Sequence, residues 1–406
     1  MLRLNQKRSL STTEIPQSPK VSDESSYLRF NRWFLLTAVL PVLSVAGFNV
    51  LINPYDLFDL PSFSGFNQTK SAKLSNMRTF KAVEVSRTSP KTVFLGSSRT
   101  DYGLDPNHPV LSDKQPAYNL ALGAANPYEL RRYLEHVSKS NSDIKIVVLG
   151  LDEFMFNVQN PKNPSFSEHR LNGTGLTLQD AINTTFSIDA LTASLKTLRW
   201  SQRYPDYLTY SSQGQLNLRP IDRDPSATNY RFQTSLKVYF QSFSKPYELS
   251  AEGLEEIRKI VKICRERDIQ LKAFISPSHA MRYEAIRAAG HWEAYEQMKR
   301  EIIEILPLWD FSGYNSITTE AFSDKMQYYI DESHYQEKVG NLVLNRLFTF
   351  DIERIPEDFG IWVTPETIET HLDRIRRDRE NWAIDRASEV QFILDVKEKI
   401  DEESSF

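Results

Sequence analysis

The sequence predicts an α/β fold: a three-layer arrangement of a parallel sheet with helices on both faces, carried behind one N-terminal transmembrane helix. Three observations predict it. From residue 91 onward, short apolar runs alternate with helix-patterned segments. Serine, glycine, aspartate and histidine follow directly after those runs, where open α/β sheets place their chemistry. One charge-free apolar stretch stands near the N-terminus, and no second one appears.

Residues 1–32 are rich in Ser, Thr, Pro and charge and read as a disordered tail. Trp33 to Ile52 is a run of twenty residues without a charge. At about 1.5 Å per residue it spans roughly 30 Å, the thickness of a bilayer core. The run is longer than the apolar part of a usual signal peptide, and no clear small-residue cleavage site follows it. A buried core helix is the other reading, and the flanks favour the anchor. Arg3, Lys7, Arg8, Lys20, Arg29 and Arg32 precede the run, against Glu14, Asp23 and Glu24. Asp56 and Asp59 follow it, with no base until Lys70. Positive-inside bias then puts the N-terminus in the cytoplasm and the main domain outside, as in a single-pass protein.

Residues 53–90 form a juxtamembrane segment with a helix over about 73–87. Thr92–Leu95 and Ala117–Leu122 read as short buried strands. Asn126 and Pro127, a cap followed by a first-turn proline, open a helix that runs to about His136. Asp143–Leu151 is the clearest buried strand. Residues 156–248 show no simple period; they read as an insertion or lid with one helix near 189–199. Ser250 caps a helix over 251–267, Ile269–Ser276 is a strand, and 291–305 is helical. Leu308–Phe311 is a short strand, and a helix covers about 336–347. The domain proper spans 91–350, and 351–406 reads as a charged helical appendage.

Bulk properties exclude some functions. A net charge of -4 gives no reason to expect nucleic-acid binding. One cysteine, Cys264, excludes an internal disulfide framework and a cysteine-rich metal site. It falls inside a helix and reads as a packed side chain. No companion ligand set stands beside Asp331 and His334, so neither a metal nor a cofactor is expected.

Two motifs carry chemistry. Gly96-Ser97-Ser98-Arg99 follows the first strand, and Asp331-Glu332-Ser333-His334 precedes the last helix of the domain. A serine hydroxyl is a weak nucleophile that needs an imidazole base, and the imidazole needs a group that fixes its tautomer. Ser98, His334 and Asp331 supply those three parts; Ser97 is the neighbouring alternative nucleophile. The bland reading of the second motif is a helix start capped by Asp331 or Ser333.

In these blocks the chain resembles the SGNH, or GDSL, hydrolase superfamily over roughly residues 91–350. The resemblance implies a flavodoxin-like sheet. It places Gly96-Ser97-Ser98 at the family's Gly-Asp-Ser block, with Ser98 as nucleophile, and Asp331 and His334 at its Asp-x-x-His block. Tyr118 to Gly123 matches the second block, so the backbone N–H groups of Ser98 and Gly123 are implied oxyanion donors. The third block normally supplies an asparagine, and here Gly150-Leu151-Asp152-Glu153 puts Asp152 in its place. An ionised carboxylate has no proton to donate and repels a forming oxyanion. Asp152 is therefore protonated, or paired with Arg99 or another base, or replaced by another donor such as Asn126 or Asn157.

In layout the chain is similar to membrane-anchored envelope proteins of the D-alanyl-teichoic acid transfer and alginate O-acetylation types. That implies a bacterial inner-membrane protein with an extracytoplasmic domain. It also implies an acyl transfer or esterase activity on an envelope polysaccharide, with the acyl donor passed on by a multispanning membrane acyltransferase. The alternative is a catalytically silent accessory of a polysaccharide assembly complex. Remaining candidates have two readings each. Arg99 binds an anionic substrate group or, as favoured, pairs with Asp101 or Asp152. His279, at a strand end, contacts substrate or packs. Trp200, Arg203 and Tyr204 stack on sugar rings or belong to an aromatic core.

Overall fold

A computed structural model describes residues 24–403, apart from 174 and 244. Most of the expected N-terminal tail lies outside those residues. Its last part, from Glu24, belongs instead to the first helix, α1 (Glu24–Ile52). Tyr27, Trp33, Phe34, Leu35, Leu40 and Leu43 of α1 are exposed, whereas Ala46, Asn49 and Ile52 are buried. The helix is long and apolar enough to cross a membrane or to be a signal sequence.

The rest is a mixed α/β fold built on one six-stranded sheet. In chain order its elements are α2 (Met77–Thr88), β1 (Thr92–Leu95), α3 (Ser98–Gly103), β2 (Ala117–Asn119), α4 (Pro127–Ser140) and β3 (Ile146–Leu151). The insertion follows with α5 (Glu168–Asn172), α6 (Leu178–Phe186), α7 (Ile188–Arg203) and α8 (Thr228–Ser242). Then come α9 (Ala251–Glu266), β4 (Gln270–Ile275), α10 (Ala280–Ala288), α11 (Trp292–Ile305) and β5 (Leu308–Asp310). The chain closes with α12 (Glu337–Phe348), β6 (Ile361–Val363), α13 (Ile368–Asp385) and α14 (Ala387–Glu403).

The strand order is β2-β1-β3-β4-β5-β6. The first five strands run parallel, and β6 pairs antiparallel with β5 through Leu308 with Val363 and Asp310 with Ile361. β1 and β3 are buried along their whole length, which is why they read as unbroken apolar runs. Asn126 caps α4 by accepting from the Glu129 N–H at 3.0 Å, with Pro127 in the first turn.

Three expectations need correction. First, the sheet is not all parallel, and 351–406 is not a mere appendage. Its Ile361–Val363 closes the sheet edge, and Leu372, Ile375, Trp382, Ile393, Val396 and Ile400 join the core. A three-residue strand among charged helices is too short to show a period of two. Second, the strand over 117–122 stops at Asn119, whose side chain donates to the Thr100 and Leu104 carbonyls at 2.9 and 3.0 Å. The chain still runs beside β1, with Leu120 N–H on Phe94 O and Leu122 N–H on Gly96 O, both 2.9 Å. Third, the insertion holds more than one helix. In α8, Phe232, Leu236, Tyr239 and Phe240 are buried at helical spacing. The insertion also receives the end of α1: Asn49 donates to Thr185 O at 2.9 Å and accepts from Ser194 Oγ at 2.8 Å.

Two glycines let α3 start close against the sheet. A Cβ on Gly96 would lie 2.2 Å from Thr100 Oγ1, and one on Gly150 would lie 2.3 Å from the same atom. The tips of β1 and β3 therefore converge on the first turn of α3, which carries Ser98.

Candidate active site

Ser98 occupies the first position of α3, where helix N–H groups lack intrahelical partners. Ser97 is the residue before it, and its fully buried hydroxyl caps the helix by accepting from the Arg99 N–H at 3.1 Å. That cap engages Ser97 and leaves Ser98 facing the cavity. On the other wall, Asp331 Oδ1 accepts from the Ser333 and His334 backbone N–H groups at 2.9 and 2.8 Å. This turn folds the His334 ring back over Asp331.

The result is a continuous hydrogen-bonded chain. Ser98 Oγ is 2.9 Å from His334 Nε2, and His334 Nδ1 is 2.9 Å from both oxygens of Asp331. With Nδ1–H held by the carboxylate, Nε2 is left to accept the serine proton. Burial opposes charge on the imidazole, but Asp331 outweighs it and raises the His334 pKa above the usual histidine value. Burial likewise opposes charge on Asp331, and His334 with two backbone donors still holds its pKa below the usual carboxylate value. The Tyr102 ring meets His334 edge-on at 5.6 Å.

Behind the chain lies a buried ionic network. Arg99 donates to Asp152 Oδ1 at 2.9 Å, to the two Glu153 oxygens at 2.6 and 3.0 Å, and twice to Ser333 Oγ at 3.1 Å. Arg282 continues it, donating to Glu153 at 2.9 Å and approaching Glu332 at 3.4 Å. Ser235 of α8 donates to the same Glu332 oxygen at 2.9 Å. Arg99 thus pairs with Asp152 and not with Asp101, which takes Lys81 at 2.6 Å. Through Ser333, Arg99 fixes the loop that carries His334.

The other candidates stand as follows. Asp152 is engaged by Arg99 through Oδ1 and lies in the network, outside the cavity wall. The Gly123 N–H points at Met77 Sδ, 3.0 Å away, and Ala124 takes the place in the cavity wall expected of Gly123. His279 is fully buried: Nε2 donates to Glu320 O at 2.7 Å and Nδ1 accepts from Met281 N–H at 3.2 Å. Packed between Phe232 and Tyr329, it caps α10, and burial lowers its pKa to about 4. The structure therefore removes His279 from the substrate contacts. Among the described residues, no group of three or more His, Cys, Asp or Glu is placed to hold a metal ion.

The cavity around Ser98 and His334 has a volume of about 380 Å³. Phe154, Val238, Tyr239 and Phe243 form its apolar side, and Gln159, Asn160 and Ser242 are polar members of its wall. Nδ2 of Asn160 is buried without a hydrogen-bond partner. Sequence reasoning missed Glu153, Arg282, Glu332 and Ser333, because nothing in a helical Arg or an acid beside a catalytic-type motif shows that it is buried and paired. It also missed the contribution of α8, although the buried stripe from Phe232 to Phe240 was there to be read.

No family model matches this chain, and no curated protein does. A solved structure from Streptococcus pneumonia, provisionally described as a platelet activating factor, is similar at 11% identity and a TM-score of 0.31. The match covers 68% of this chain and 94% of that one. A likeness so coarse carries no argument about activity.

Proposed function

We propose that this protein is a membrane-anchored, SGNH-like serine enzyme that transfers or hydrolyses O-acyl groups of an envelope polysaccharide. The observation that carries this reading is the unbroken Ser98–His334–Asp331 chain at the edge of a cavity. In the first step Ser98 Oγ attacks the acyl carbonyl while His334 Nε2 takes its proton. The tetrahedral intermediate collapses, the donor oxygen leaves with that proton, and Ser98 holds the acyl ester. A glycan hydroxyl then gives its proton to His334 and attacks the ester, which returns Ser98. Water in place of the glycan makes the same machinery an esterase. Asp331 holds the imidazole tautomer and stabilises the imidazolium in both steps.

The wider setting follows the layout: the Trp33–Ile52 part of α1 in a bacterial inner membrane, residues 1–32 cytoplasmic, the domain periplasmic, and a multispanning acyltransferase as the acyl source. Fluorophosphonate labelling of the full chain tests the chemistry. Labelling is expected in the parent and lost in Ser98→Ala and His334→Ala; a well-folded parent that does not label refutes it.

A second reading has its own support. Asp152 is salt-bridged, and the Gly123 N–H is turned to a sulfur, so two of the three implied oxyanion donors are otherwise engaged. That favours a silent accessory of a polysaccharide assembly complex, for which absence of labelling is the expected result.

A further inference from the structure

We infer that a second cavity, formed by one face of α7 against residues 71–76 and 207–219, binds uncharged pyranose units of a glycan. At about 580 Å³ it is larger than the Ser98 cavity and falls within the roughly 300–1,000 Å³ of small-molecule sites. Asp189, Lys196 and Trp200 stand at i, i+7 and i+11 on α7, a single helix face. Facing them are Ser71 and Thr209, 8% and 2% exposed, whose hydroxyl oxygens have no hydrogen-bond partner.

Each feature points to the same ligand chemistry. A buried hydroxyl left unmet costs about 1–3 kcal/mol, and these two belong to residues of the cavity wall, where a polar group of an occupant that reaches them recovers that cost. A sugar hydroxyl both donates and accepts, so it satisfies a threonine or serine in either role. Trp200 is half-buried and supplies the apolar face that the C–H side of a pyranose ring covers. Asp189 and Lys196 form no ion pair among the described residues, so one acceptor and one donor remain for adjacent hydroxyls. Their charges cancel. The third charged member of the wall, Arg219, is neutralised by Asp222 at 2.7 Å. No net charge is left to select an anion, which argues for an uncharged sugar.

The inference shares with the proposed function only the choice of a glycan, and its test leaves Ser98 out. Cellotetraose and maltotetraose are titrated by calorimetry into the full-length Ser98→Ala protein in lipid nanodiscs.

At least one of the two is expected to bind. Adding Trp200→Ala is expected to weaken it by about tenfold or more. Adding Thr209→Val is expected to weaken it severalfold without lowering the melting midpoint, because an unpartnered hydroxyl gives the empty protein no stability. Absence of binding by both tetraoses up to about 10 mM overturns the inference, as does an affinity unchanged in both variants. Sugar binding without fluorophosphonate labelling refutes the acyl-transfer chemistry alone; labelling without sugar binding refutes this site alone.

Discussion

Replacing Arg99 by Met tests whether the ionic network holds the triad in place. Arg99 is 1% exposed and its guanidinium donates to Asp152, Glu153 and Ser333. Methionine keeps much of the volume and removes every donor. Asp152 then has no cation, and Glu153 retains only Arg282. Breaking a buried pair by deleting one partner costs about 3–5 kcal/mol, because the remaining charge stays buried without compensation. For a chain of this size that corresponds to a fall in melting midpoint on the order of 4–6 °C.

The pH dependence carries a second signature. Burial opposes ionisation of Glu153, but Arg99 and Arg282 more than compensate and hold its pKa well below the usual carboxylate value. A depressed folded-state pKa gives stability that is present above the unfolded value and lost as pH falls toward the folded one. Arg99→Met therefore lowers the midpoint most at neutral pH and least below about pH 4, where the acid is protonated in the unfolded chain. Adding Glu153→Gln is expected to restore part of the loss, as coupled neighbours do. The assay is thermal unfolding from about pH 3 to 8 for parent, single and double variants. A drop below about 1 °C, or a double variant no more stable than Arg99→Met, would falsify the network's role.

Three further outcomes are expected. Because Asp331 raises the His334 pKa, the rate of fluorophosphonate labelling should climb with pH through a midpoint above the ordinary histidine value of about 6.5. Asp331→Asn should lower that midpoint and slow labelling on the order of 10³–10⁴-fold; an unmoved midpoint contradicts the pairing. Glu332 is pushed up to about 7 by burial and by Asp331, so stability should decline as pH rises from about 4.5 to 7. In Glu332→Gln that decline should shrink, and thermal melts that keep the parent's slope refute it. At Gly340 of α12, a Cβ would lie 1.8 Å from Gly103 O of α3. Gly340→Ala should cost about 1–3 kcal/mol in denaturant unfolding. It should also slow labelling, because α3 carries Ser98 while α12 follows His334; a variant with parental stability and rate shows that the helices part without consequence.

Much of this protein was legible along the chain. β1 and β3 are buried on both faces, so their composition alone marks them, and Asn126-Pro127 announces α4 through a cap that is local in sequence. Asp331 and His334 lie three residues apart, close enough for one turn to join them. The edge strand β6 escaped notice because three residues leave no pattern, and His279 misled because a strand-end histidine reads the same whether it faces a cavity or caps a helix.

What the sequence by itself determined was the set of parts whose causes are local: an apolar α1, alternating strands and helices, and a serine and a histidine at element ends. Only the tertiary structure decided which parts meet. It joined Ser98 to His334 across 236 positions, gave Ser97 to the helix cap, and assigned Arg99 to Asp152, Glu153 and Ser333 rather than Asp101. The physical reason is that burial and ion pairing between distant segments depend on how strands and helices pack. The identity of a residue does not say which charge it will face once water is gone.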